Sequence, residues 1–313
     1  MVLSDYVHLL PAYRRQAALG DAERIAWIRA DWWLETARAG SALARLEDIL
    51  SYPARDRMPC LLLYGDTGMG KTKIIGKTKI IRKFLRDHPA SFNEGAGITT
   101  MPVVAMQMPA EPLERDVYGE LLNALGAPGP STDSTYRHKE ICRWLLRTMG
   151  ARMLIIAEIH ALLAGTFRQQ RIFLNVVRFL ANDLKVPLIC VGTDLARQAL
   201  LTDPQLAERF EAFHLERWQN DLHLSQLLTS LGGILPLRRP SELGTAAARR
   251  RVLDLTDGVT VRIFRLIETV AVEAIRTGSE HLTAESFMSD ALVLPLVTIT
   301  RQAEKRLQRR VGR

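Results

Sequence analysis

An unbroken apolar run, Cys60-Leu61-Leu62-Leu63-Tyr64, stops at Gly65 and opens the phosphate-loop pattern G-x-x-x-x-G-K-[ST] as Gly65-Asp66-Thr67-Gly68-Met69-Gly70-Lys71-Thr72. Such a run reads as a buried parallel strand. Glycines let backbone N–H groups converge on phosphate oxygens, and a helix starting just beyond points its positive dipole end at the same oxygens. Residues 65–72 are therefore the expected nucleotide contacts. Lys71 would meet the β- and γ-phosphates, and the Thr72 hydroxyl would ligate Mg²⁺, making ATP and Mg²⁺ the expected cofactors.

Three further apolar runs share this character: Val103-Val104-Ala105-Met106, Met153-Leu154-Ile155-Ile156 and Pro187-Leu188-Ile189-Cys190-Val191-Gly192. Helical patterns over 113–125, 136–149 and 167–184 lie between them. That alternation predicts an α/β fold with a parallel sheet flanked by helices. Residues 1–50 read as helices: Ile25, Ile28, Trp32, Leu34, Ala37, Leu43 and Leu46 recur at roughly helical spacing across 22–47. Pro53 breaks the pattern by disfavouring helix at Tyr52. Beyond about Glu216 the strand runs stop. The expected organisation is an N-terminal helical extension (1–50), a nucleotide-binding core (51–215) and a C-terminal helical lid with a basic tail (216–313).

Immediately after the phosphate loop a hexapeptide repeats, Gly70-Lys71-Thr72-Lys73-Ile74-Ile75 and then Gly76-Lys77-Thr78-Lys79-Ile80-Ile81. The second copy cannot serve the same frame, because its leading glycine would fall on Lys71. Six extra helical residues would add about 9 Å and rotate the downstream chain by about 240°. Gly76 would weaken that helix by up to about 1 kcal/mol relative to Ala. The alternative is a loop bulging between the two copies.

In P-loop ATPases a strand ending in Asp-Glu stands beside the phosphate loop, the Asp holding Mg²⁺ and the Glu orienting the attacking water. Here Met153–Ile156 leads into Ala157-Glu158, so the Glu is present and the Asp is not. This predicts an ATPase whose turnover is depressed more than its nucleotide binding. Thr193, ending the next strand, is a candidate to contact the γ-phosphate or the water, the alternative being a helix cap. Arg209 is placed like an arginine that reaches a neighbouring subunit's site and stabilises charge on the transferring phosphoryl group. Arg262 opens a helix of the lid and is a candidate nucleotide contact, with Arg265 as its rival. Together these stations point to the AAA+ type. His160 reads as a packed or hydrogen-bonded residue, and Trp32 and Trp33 as helix packing. No His or Cys spacing suggests a metal other than Mg²⁺.

A formal charge of +8 favours a polyanionic partner, since each Lys or Arg meeting a phosphate releases condensed counterions. Cys60, Cys142 and Cys190 are widely spaced in apolar runs and read as buried free thiols. No apolar run reaches the roughly 18 residues of a spanning helix, and the N-terminus lacks the order of a signal peptide. A cytoplasmic protein with no membrane partner is the expectation.

The stretch from Glu158-Ile159-His160 to Arg168-Gln169-Gln170-Arg171, together with the phosphate loop, resembles the TniB family of transposition ATPases, relatives of the TnsC target-selection proteins. The resemblance is also carried by Glu23-Arg24-Ile25 with Trp33, and by Arg57-Met58-Pro59 ahead of the phosphate loop. It continues through Thr202-Asp203-Pro204-Gln205-Leu206 and Arg209-Phe210. Leu215-Glu216-Arg217-Trp218 and the stretch from Leu235 to Ser241 complete it. Ala157 and the repeated hexapeptide depart from the family pattern. The resemblance implies an ATP-dependent regulator of transposition that forms a homo-oligomer, ring or helical filament, on duplex DNA. It also implies recruitment of a DDE-type transposase and a TniQ-like adaptor. Arg168 and Arg171, in a segment that tends to face the pore of such assemblies, are then candidate DNA contacts. So is Lys83, within the basic stretch of Lys73, Lys77, Lys79, Arg82 and Lys83. Such contacts would be mainly to phosphate. Residues 301–313 carry six basic residues against Glu304 and read as an arm for DNA or a protein partner.

Overall fold

A computed structural model describes residues 6–30, 33–66, 79–95, 97–111, 113–127 and 134–288. Of the phosphate loop, Gly65 and Asp66 are described. Thr67, Gly68, Met69, Gly70, Lys71 and Thr72 lie outside the described residues, as do Trp32, Lys73, Lys77 and 301–313.

In chain order the helices are α1 (Arg14–Ala17), α2 (Asp21–Arg29), α3 (Ala37–Ser51), α4 (Lys79–Asp87), α5 (Glu114–Ala124) and α6 (Thr135–Thr148). They continue as α7 (Phe167–Leu184), α8 (Asp194–Leu201), α9 (Pro204–Ala207), α10 (Leu222–Ile234), α11 (Ala246–Thr256) and α12 (Thr260–Arg276). The strands are β1 (Cys60–Gly65), β2 (Ser91–Asn93), β3 (Ile98–Thr100), β4 (Val103–Gln107), β5 (Met153–Ala157), β6 (Leu188–Gly192) and β7 (Phe210–Leu215). Local chemistry explains several starts. Ser134, Asp203, Asp221 and Thr245 each accept a backbone N–H at a helix N-terminus. Thr166 and Gln169 form a reciprocal capping box on α7.

Five strands form one parallel sheet in the order β4-β5-β6-β1-β7. The four apolar runs of the sequence are four of its strands, β1, β4, β5 and β6. They are buried almost throughout, as a sheet covered on both faces requires. Cys60, Leu62, Tyr64, Leu154, Ile156, Leu188 and Cys190 point to the face packed by α5 to α8. The alternate residues Leu61, Leu63, Met153, Ile155, Ile189 and Val191 are buried on the other face, on the side of α3. All three cysteines are buried free thiols, and desolvation pushes the Cys142 thiol up to about 12.

Three elements differ from the sequence expectation. The β7 strand closes one sheet edge, and its mixed, largely exposed residues give no apolar run. The short β2–β3 hairpin is exposed and carries no core signal. The single helical pattern over 22–47 is two helices, because Ala30 turns extended at ψ 160° and α3 begins only at Ala37.

The chain forms two compact units, one of residues 37–216 and one of 1–36 together with 217–313. The first holds the sheet, and α3 belongs to it. The second is helical among its described residues, and both ends of the chain contribute to it. Its centre is Arg24, fully buried, whose guanidinium donates to both Glu280 carboxylate oxygens at 2.6 and 2.7 Å. Arg24 also donates to Asp21 Oδ1 at 2.7 Å and to the Pro236 carbonyl at 2.9 Å. Gly258, at φ 68°, lies so close to Trp218 that a Cβ there would sit 2.1 Å from the Trp218 carbonyl oxygen. Among the described residues no helix is long and apolar enough to cross a membrane.

Candidate nucleotide site

The chain leaves β1 for the far edge at β4, returns through β5 and β6, and then crosses β1 to β7. The carboxyl ends of β1 and β6 are therefore a topological switch point, where open parallel sheets bind ligands. The register brings the candidate residues to that edge. Ala157 pairs with Val191, Val191 with Leu63, and Gly192 with Tyr64. Gly65, Glu158 and Thr193 thus emerge within one or two residues of each other along neighbouring strands. Strand β6 stands between β1 and β5, so the acidic strand is one place removed from the phosphate-loop strand, and Thr193 lies on the strand between them.

Two glycines are dictated by close approach. A Cβ on Gly65 would lie 2.5 Å from the Leu215 carbonyl oxygen. On Gly192 it would lie 2.6 Å from the Ala196 Cβ.

Thr193 occupies the N-cap position of α8, but its side chain makes no capping bond. Its Oγ1 is buried with no hydrogen-bond partner among the described residues. A hydroxyl left so costs about 1–3 kcal/mol unless another group supplies the bond. The side chain thus forms no capping bond to α8.

Glu158 takes the left-handed conformation, φ 57° and ψ 35°, directly after β5. For a residue with a Cβ this costs of order 1–3 kcal/mol and is commonest at functional sites. The turn starts a 3-10 helix over Ile159–Ala164 and brings His160 Nε2 to 3.4 Å from Glu158 Oε2. His160 Nδ1 is buried without a partner among the described residues. Packing alone therefore does not account for His160, and a lone histidine next to an acidic strand end gave no sequence signal for this pairing. Ala157 is buried at the end of β5, where the Asp of an Asp-Glu pair is expected.

The residues present fit a nucleotide: an unpartnered hydroxyl follows the strand beside the one that runs into the phosphate loop, and a carboxylate on a left-handed residue follows the strand after that. For Mg²⁺ the strand end offers one carboxylate where two are expected. Among the described residues no group of three or more His, Cys, Asp or Glu side chains could hold a metal ion. With Ala157 in place, the phosphates, Thr72 and water would carry the metal.

Arg209 lies at the opposite edge of the sheet. It precedes β7, and its carbonyl accepts from the Cys60 N–H at the start of β1. The length of β1 separates it from Gly65 by about 17 Å. Its Nη1 donates to Asn182 Oδ1 at 2.7 Å.

Arg168 and Arg171 are exposed on the first turn and a half of α7, beside an exposed Phe167 whose ring lies 5.9 Å from the Arg171 guanidinium carbon. Lys83 is paired with Asp87 one helical turn on, which offsets its charge. Arg262, on the first turn of α12 in the other unit, pairs with Asp257 at 2.6 Å.

The family profile described as Bacterial TniB protein matches residues 24–220. No curated protein matches by sequence. Among solved structures, the Aeropyrum pernix ORC2 protein in ADPNP–ADP complexes superposes with a TM-score of 0.58 at 14% identity, over 88% of this chain and 72% of that one. Drosophila ORC bound to DNA gives 0.56 at 15% identity, over 92% and 69%. The Walker-type ATPase PABY2304 of Pyrococcus abyssi gives 0.55 at 16%, over 90% and 79%. At these identities the likeness is one of fold, that of the AAA+ P-loop ATPases.

Proposed function

The chain belongs to the TniB family, and from that premise we propose that it is an ATP-dependent, DNA-binding regulator of transposition. It assembles as an ATP-bound homo-oligomer on duplex DNA and recruits a DDE-type transposase and a TniQ-like adaptor. The observation that carries the nucleotide part is the convergence of Gly65, Glu158 and Thr193 on one sheet edge, with the Thr193 hydroxyl lacking a partner among the described residues. The DNA part is supported by the family, the +8 charge and the exposed Arg168 and Arg171.

In this reading the backbone of residues 65–70 and Lys71 bind the polyphosphate, and Thr72 takes Mg²⁺. The Glu158 carboxylate orients the attacking water, and the Thr193 hydroxyl bonds the γ-phosphate or that water. Arg209 cannot reach the site of its own chain, and it serves the site of a neighbouring subunit. The bound nucleotide thereby bridges two subunits, and hydrolysis releases the assembly.

A second reading is favoured by Ala157: a nucleotide-gated scaffold that binds ATP and DNA but turns over little. Duplex-DNA binding by fluorescence anisotropy, with ATP, with ADP and without nucleotide, tests both readings when phosphate release is followed in parallel. ATP-dependent, salt-sensitive binding with slow turnover is expected. Binding without any phosphate release would select the scaffold, and no DNA binding in any nucleotide state would overturn the transposition role.

A further inference from the structure

The arginines around α7 are held in two ways. Arg143 donates to both carboxylate oxygens of Asp183, at 2.6 and 2.8 Å, and to Glu140 at 2.9 Å. Arg147 also reaches Asp183, and Arg178 pairs with Asp203. Each of these three cations is offset by a carboxylate. Arg209 is held by an amide: Nη1 donates to Asn182 Oδ1 at 2.7 Å, and the guanidinium has no carboxylate partner among the described residues. An amide oxygen fixes the direction of a guanidinium without cancelling its charge, and it occupies only one of five N–H donors. A carboxylate would fix it more tightly and would compete with any external anion.

The surroundings make this hold rigid. Asn182 lies in the last turn of α7, and Arg178 one turn before it ties Asp203 to the same helix. Asp203 in turn caps α9, the helix that leads to Arg209. The segment carrying Arg209 is thus fastened to α7 at two points, and only the ion pair at Asp203 neutralises charge.

We propose that Asn182 is a positioning residue for Arg209: its amide oxygen aims an uncompensated guanidinium outward, toward the nucleotide phosphates of a second copy of this chain. This rests on the proposed function, in which Arg209 acts across a subunit boundary, and adds the group that orients it.

The test uses the full chain with Asn182→Asp, Asn182→Ala and Arg209→Ala. Two readouts are followed: phosphate release, and ATP-dependent assembly on duplex DNA by sedimentation. Asn182→Asp adds an ion pair to Arg209, so its melting temperature is expected to hold or rise while turnover and assembly fall by about tenfold or more, toward the Arg209→Ala level. Asn182→Ala frees the guanidinium without neutralising it, and its loss is expected to be smaller. Mixing Asn182→Asp with Lys71→Ala subunits, which keep a working Arg209, is expected to restore turnover above either variant alone. A purely structural Asn182 would give the reverse pattern: the Asp variant would be stable and active, and only the Ala variant weakened. If Arg209→Ala is defective but Asn182→Asp behaves as wild type, the positioning role is overturned and the proposed function stands. If Arg209→Ala itself assembles and turns over normally, the trans role of Arg209 falls and the Asn182 proposal falls with it.

Discussion

In the proposed function, single side chains at the end of β5 set the chemistry. Ala157 points to the same sheet face as Met153 and Ile155, and it ends the strand where a carboxylate would approach the metal. Restoring that carboxylate with Ala157→Asp is expected to raise ATP turnover by about tenfold or more, while nucleotide affinity changes less. Adding Glu158→Gln should abolish the gain, and phosphate-release assays check both. The Glu158 signal was legible in the sequence because an apolar run ending in an acid is rare. The unpartnered Thr193 hydroxyl was not, because a threonine before a helix usually caps it. Elsewhere, the buried guanidinium of Arg24 ties the segment around Pro236 to Glu280. Burial pushes the Glu280 carboxyl up, but the Arg24 guanidinium, the Arg238 N–H and the charges of both arginines outweigh it, leaving it below its ordinary value. The stability this contributes is full above the ordinary carboxylate range and is lost as pH falls through the lowered value. Glu280→Gln leaves a buried guanidinium charge short of its partner. It is expected to cost about 3–5 kcal/mol near neutral pH and to flatten the acid dependence, read from urea midpoints across pH.

At the scale of elements, α4 shows what the end of the repeated hexapeptide contributes to packing. Among the described residues α4 covers Lys79–Asp87, and Ile80, Ile81 and Phe84 are its buried residues. The second copy therefore supplies Ile80 and Ile81 to the packed helix face, while Gly70, Lys71 and Thr72 of the first copy lie outside the described residues. Deleting one copy gives the same sequence whichever is removed, and it joins the loop directly to the packed helix. Such a deletion is expected to tighten ATP binding by about tenfold, because the helix dipole then sits at the phosphates as the loop pattern requires. Titration with a fluorescent ATP analogue checks it, and unchanged affinity would mean that the spacer does not separate loop from helix. Helix α7 was legible from end to end as a helical pattern over 167–184. Strand β7 was not, because an edge strand need bury little and shows no period of its own.

Across the whole molecule, the +8 charge and the exposed arginines of α7 support the proposed DNA binding. Alanine at Arg168 or at Arg171 is expected to weaken binding of the ATP-bound chain to duplexes of any sequence. Each change should reduce the slope of log affinity against log salt by about 1. Anisotropy titrations at several salt concentrations read this directly, and an unchanged slope would remove that arginine from the interface.

Sequence sufficed for the elements whose signal is local: four buried strands, the helices between them, the position of Glu158 directly after β5, and the family. Each rests on hydrophobic runs, caps or spacings that act within a few residues. The folded chain was needed for everything that depends on partners distant in sequence. It set β6 between β1 and β5, and it put Arg209 at the edge opposite Gly65. It held that arginine with an amide from α7, and it brought Arg24 to Glu280 across 256 residues of chain. Strand order, strand-end register and ion-pair partners are chosen by packing of the whole chain, and no short window of sequence contains the competing alternatives.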